Sequence, residues 1–124
     1  METKKVESFR DLVVWQMSHE LVMKMFALTD KFPRRERPLM AQKIRDLAVQ
    51  IPSNVAMGFE KRNHKIKLYH YRTALTLTEQ LGYYFILAQD LRYIKSSTEV
   101  LTELDNVEKK LKGLLRSVAG GKEK

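Results

Sequence analysis

Gln50-Ile51-Pro52-Ser53-Asn54-Val55-Ala56-Met57-Gly58-Phe59-Glu60-Lys61-Arg62 places a proline inside a run whose apolar residues keep helical spacing, and it closes on two cations. Met40, Ile44, Leu47, Ile51, Val55 and Gly58 or Phe59 recur every three or four residues straight through Pro52. That pattern predicts one bent helix over 38–62 and not two separate helices. Proline lacks a backbone N–H and crowds the carbonyl four residues back, at a cost of about 3 kcal/mol in a helix interior. Ser53 and Asn54 follow at once, and both side chains can bond backbone groups that the proline leaves unpaired. Pro52, Ser53 and Asn54 therefore read as a structural kink with its own local repair.

Upstream, Val14, Leu21, Met25, Leu28 and Phe32, flanked by Leu12, Trp15, Val22 and Phe26, predict an amphipathic helix over 9–32, capped by Ser8 or Asp11. Pro33 to Pro38 is a polar turn with a proline at each end. Downstream, Asn63 offers a stop, and a third helix over 65–93 carries Ala74, Leu77, Leu81, Tyr84, Ala88 and Leu91 in step. Ser96 or Ser97 caps a fourth, with Val100, Leu104, Val107, Leu111, Leu114 and Val118 on one face and Gly120-Gly121 at its end. No segment alternates as a strand does. Four helices with short connections predict an all-α, antiparallel up-down four-helix bundle.

The 124 residues are one domain, with 1–8 and 119–124 as flexible tails. Hydrophobic residues at 44% and charged ones at 31% belong to a chain that folds. Cysteine is absent, the first residues lead into no apolar signal region, and no apolar run approaches the roughly 20 residues of a membrane helix. The expected setting is the cytoplasm, with no membrane partner.

Charge is more telling. Twenty-three Lys and Arg against 15 Asp and Glu give +8, an excess that suits a polyanionic partner. The bundle topology brings both chain termini and the second connection to one end. Lys4, Lys5, Arg10, Lys61, Arg62, Lys65, Lys67, Arg72, Lys112, Arg116, Lys122 and Lys124 fall there against few acids, so most of the excess is polarised. Lys61, Arg62, Lys65, Lys67, Arg72, Lys112 and Arg116 are the candidate phosphate contacts.

Tyr83-Tyr84-Phe85-Ile86-Leu87-Ala88 and Leu12-Val13-Val14-Trp15 are unbroken apolar runs. Successive helical residues point about 100° apart, so such runs cover every side of a helix and leave apolar surface for another chain. Val13, Trp15, Tyr83, Phe85 and Ile86 are the candidate contacts of a homo-oligomer. His19, His64 and His70 have no metal-ligand spacing, and neither a phosphate loop nor a nucleophile motif is present. The expectation is a protein with no enzymatic activity, metal or cofactor.

Phe9-Arg10-Asp11-Leu12-Val13-Val14-Trp15-Gln16, Phe32-Pro33 with Glu36, Gln42-Lys43-Ile44-Arg45, Ile51 to Gly58, and Leu87-Ala88-Gln89-Asp90-Leu91-Arg92-Tyr93-Ile94 resemble the four-helix-bundle family of proteins encoded in 23S rRNA intervening sequences. The resemblance implies a ring-like homopentamer without catalytic activity. The same fold family includes the accessory variability determinant of diversity-generating retroelements, a basic pentamer that binds nucleic acid and a reverse transcriptase. Four positions in three motifs depart from the family pattern. Met57 replaces a glutamate, Gln80-Leu81-Gly82 replaces Glu-Leu-Glu, and Asp46 replaces a second arginine. With the basic end, these departures favour the retroelement branch: an adaptor for RNA or an RNA–DNA hybrid and for a reverse transcriptase. The alternative is an rRNA-insertion bundle with a structural or interaction role and no polymerase partner.

Overall fold

A computed structural model describes residues 5–121, which hold five α-helices and no strand among the described residues. The tail residues 1–4 and 122–124 lie outside the described residues.

Ser8 and Asp11 form a reciprocal capping box around a 3-10 turn at Phe9–Asp11, with Arg10 N donating to Ser8 Oγ at 3.1 Å and Ser8 N to Asp11 Oδ2 at 3.1 Å. Helix α1 (Val13–Thr29) starts only after this turn and stops short of Phe32. Phe32 is itself buried against the ring of Tyr93.

The segment expected as one bent helix is divided. A 3-10 turn (Arg34–Glu36) and a π-helical turn (Arg37–Ala41) lead into α2 (Gln42–Ala48), and α3 (Gln50–Glu60) resumes after Val49. Pro52 has no N–H for the carbonyl of Ala48, so the ladder lapses one turn before the proline. Side chains bond backbone carbonyls on either side of the lapse: Gln50 Nε2 donates to Asp46 O at 3.0 Å and Asn54 Nδ2 to Gln50 O at 2.8 Å. The expected repair differs: Ser53 is exposed, and Asn54 and Gln50 bond the carbonyls of Gln50 and Asp46, not that of Ala48, which Pro52 leaves without its helical donor.

Asn63 is not a helix stop. Helix α3 has already ended at Glu60, and Asn63 Oδ1 accepts from Ile66 N at 3.1 Å as the N-cap of α4 (His64–Asp90). Ser97 precedes α5 (Thr98–Ala119), and both its N and its Oγ donate to Gln89 Oε1, at 2.8 and 2.6 Å.

The contacts run α3 on α4, α4 on α5, α5 on α1, and α1 on α2 and α3. Each rod therefore packs on the next and the last returns to the first. Met25, Ile44, Ile51, Val55, Leu81, Phe85 and Leu111 lie fully buried between them. Arg45 fastens α2 to the last turn of α1. Its Nε donates to Thr29 Oγ1 at 2.8 Å and its Nη2 to Phe26 O at 3.0 Å and Asp30 Oδ1 at 2.7 Å, with the guanidinium 4.7 Å from the Phe26 ring centre. A cation bonded to the last carbonyls of a helix also answers its dipole. Lys24 pairs with Glu103 and with Glu99, the latter at 3.0 Å, joining α1 to α5. Hydrogen bonds to Glu103 and then Glu99 raise the Lys24 pKa.

Two helices end in the left-handed conformation that favours glycine. After α5 the residue is Gly121, φ 83°. After α4 it is Arg92, φ 66°, with Arg92 N bonded to Gln89 O at 2.9 Å and Tyr93 N to Ala88 O at 2.8 Å. A side chain at such a φ costs about 1–2 kcal/mol.

Candidate nucleic-acid interface

Helices α3 and α4 approach closely where they are joined. A Cβ at Gly58 would sit 2.6 Å from Cε1 of Tyr71, a fully buried ring, so only glycine fits without displacing it. This contact brings the end of α3 and the start of α4 together and leaves the connection at residues 61–63 on the outside. Lys61, Arg62 and Lys65 are exposed on and beside it, and Arg72 is exposed farther along α4.

Arg116 reaches the same end through the packing of α5. Gly82 faces Leu101 across the α4–α5 pair, with 3.9 Å from a Cβ at Gly82 to Leu101 Cδ2. Counting equal steps away from that contact in opposite chain directions brings Arg116 level with Lys67. A shallow groove in which Val13 and Val14 meet Gly113 and Ser117 sets the end of α5 beside the start of α1. Lys61, Arg62, Lys65, Arg72 and Arg116 are all exposed, and none of them forms an ion pair among the described residues.

Two of the predicted contacts have other work. Lys67 is 3% exposed, and its ammonium donates to Gly58 O at 2.8 Å and Phe59 O at 3.1 Å, between the rings of Phe59 and Tyr71. It caps the end of α3 and is not a phosphate contact. Lys112 is exposed but bonded to Glu108 at 3.0 Å, and that hydrogen bond, with the Glu108 charge, raises its pKa. Lys4 and Lys122 to Lys124 lie outside the described residues.

Residues 10–113 match the 23S rRNA-intervening sequence protein family. The chain belongs to that family. The match takes in every helix from α1 to α4 and most of α5. No curated protein matches the chain. In this family member the Ile51-to-Gly58 motif has three distinct structural tasks. Pro52 sets the lapse in the helix, Asn54 bonds the Gln50 carbonyl beside it, and Gly58 admits Tyr71. Asn54 also meets His70 of α4, Oδ1 to Nδ1, at 2.9 Å.

The apolar positions expected at a subunit contact divide similarly. Val13, Tyr83 and Ile86 are exposed, by 55%, 61% and 45%. Trp15 is half-buried, stacked on His19 and edge-on to Phe9. Phe85 is fully buried in the core of this one chain, so it cannot meet another. Sequence reasoning missed Ile66 and Tyr69, also exposed on α4. With Thr73, Thr76, Gln80 and Tyr83 they follow alternating steps of three and four, the spacing of a helix–helix seam. Among the described residues, no group of His, Asp and Glu side chains gathers as a metal-ligand set, and no helix is long and apolar enough to cross a membrane.

Proposed function

We propose that this protein is a non-catalytic adaptor that binds single-stranded RNA or an RNA–DNA hybrid at its basic end and works with a reverse transcriptase. The observation that carries the reading is the cluster of Lys61, Arg62, Lys65, Arg72 and Arg116, exposed at one end of the bundle and without ion pairs among the described residues. Cations not neutralised by the protein's own acids are free to displace counterions from phosphates. Fluorescence anisotropy with a single-stranded RNA at moderate salt should give a dissociation constant of about 1–100 μM. No binding in that range removes the reading.

In this proposal the working form is a homopentamer. Val13, Tyr83 and Ile86, joined by Ile66 and Tyr69, supply apolar surface for contact between copies, and the lapse before Pro52 kinks the second rod. Sedimentation equilibrium should return the mass of five chains, and a monomer mass at micromolar concentration is the contrary result. A second reading, the same bundle without a polymerase partner, draws on the family match, which is to the rRNA-intervening sequence proteins as a whole. Co-purification with the reverse transcriptase of the same locus separates the two.

A further inference from the structure

The end of the bundle opposite the basic cluster holds a cleft of about 850 Å³ between the close of α1, the close of α4 and the start of α5. We propose that this cleft is a second, separate site that takes a phosphomonoester. Lys31, Arg92 and Lys95 line it from three positions on the chain, and none forms an ion pair among the described residues. The one carboxylate in its lining, Glu99, is already bonded to Lys24 at 3.0 Å. Lys24 is shared with Glu103, so Glu99 keeps part of its charge, and three cations against that one carboxylate leave the cleft net positive; its volume is that of a small-molecule site.

Arg92 makes the case specific. The turn that ends α4 calls for the left-handed conformation, and the equivalent turn after α5 fills it with Gly121. Here an arginine occupies it against the backbone preference, on the wall of the cleft. Stability alone favours glycine at this position, so a guanidinium held there points to an anion. Three cations match a phosphate dianion better than a single carboxylate. Leu28, Tyr93 and the buried Ile94 give part of the wall an apolar character suited to the organic part of the ligand, beside the polar Gln89 and Ser96. A phosphomonoester of this kind comes either as a free mononucleotide or as the terminal phosphate of a strand.

Isothermal titration calorimetry on the full chain tests this with AMP, adenosine, and a trinucleotide with or without a 5′-phosphate. AMP should bind and adenosine should not. Arg92→Gly and Lys95→Gln should each weaken AMP about tenfold to a hundredfold, the loss of one charged hydrogen-bonding group. Arg92→Gly should leave the melting temperature unchanged or higher, because glycine suits the turn. A 5′-phosphorylated trinucleotide that outbinds AMP, with the advantage lost in Arg92→Gly, identifies a strand end; the reverse order identifies a free nucleotide. Equal binding of AMP and adenosine, or undiminished AMP binding by both variants, overturns the proposal.

Discussion

Reversing Lys61, Arg62 and Lys65 together to glutamate should weaken binding to single-stranded RNA by at least about a hundredfold at moderate salt. Each phosphate contact releases counterions worth most of a power of ten in affinity near 0.1 M salt, so losing three removes about two to three powers of ten. Reversal adds repulsion between the new carboxylates and the strand. The fold should be untouched, since all three side chains are exposed and none holds an ion pair among the described residues. Exposed substitutions of this sort stay within about 0.5 kcal/mol. Anisotropy titration of the triple variant, with its thermal melt as control, checks both halves. An unchanged affinity with an unchanged melt would move the interface elsewhere.

Lys67→Ala should do the opposite, costing stability and leaving affinity alone. The substitution strands the carbonyls of Gly58 and Phe59 at the end of α3 and empties the space of the lysine stem between Phe59 and Tyr71. Loss of charged hydrogen bonds and the cavity together cost about 4–6 kcal/mol, a large part of the 5–15 kcal/mol that holds a domain folded. Lys67→Met keeps the stem and loses only the bonds, about 1.5–3 kcal/mol. Urea unfolding should rank the wild type above Met and Met above Ala, with RNA affinity of the folded protein constant across the three. A phosphate-binding Lys67 gives the reverse pattern, with constant stability and falling affinity.

The contrast between these residues shows where the sequence stops being legible. Helix α5 was readable almost to the residue, because its apolar stripe is narrow and its other faces are charged. Helix α4 was readable as a helix and, for most of its buried face, in rotation. Of the stripe expected there, Ala74, Leu77, Leu81 and Ala88 are buried and Tyr84 packs against the core, but the apolar residues exceed one face, so Leu91, placed inside, lies exposed and Phe85, placed at a subunit contact, lies inside. Lys67 was misjudged for a related reason. A tally of charge says nothing about where a flexible stem takes its ammonium, yet Lys67 stands four residues before Tyr71 and seven before Ala74, in line with the buried face. That alignment was the available signal. Pro52 signalled a bend, but the division at Val49 and the bond from Gln50 to Asp46 O depend on backbone geometry that only the folded chain supplies.

The account stands or falls on whether exposed cations at the end of α3, the start of α4 and the end of α5 meet phosphates. The slope of log affinity against log salt for a single-stranded RNA tests that most directly. Each contact contributes about −0.7, so engagement of Lys61, Arg62, Lys65, Arg72 and Arg116 together predicts a slope of about −3.5 in the wild type. The Lys61, Arg62 and Lys65 triple variant should fall to about −1.4, the share left to Arg72 and Arg116. A wild-type slope near zero, or the same steep slope in the triple variant, contradicts the account.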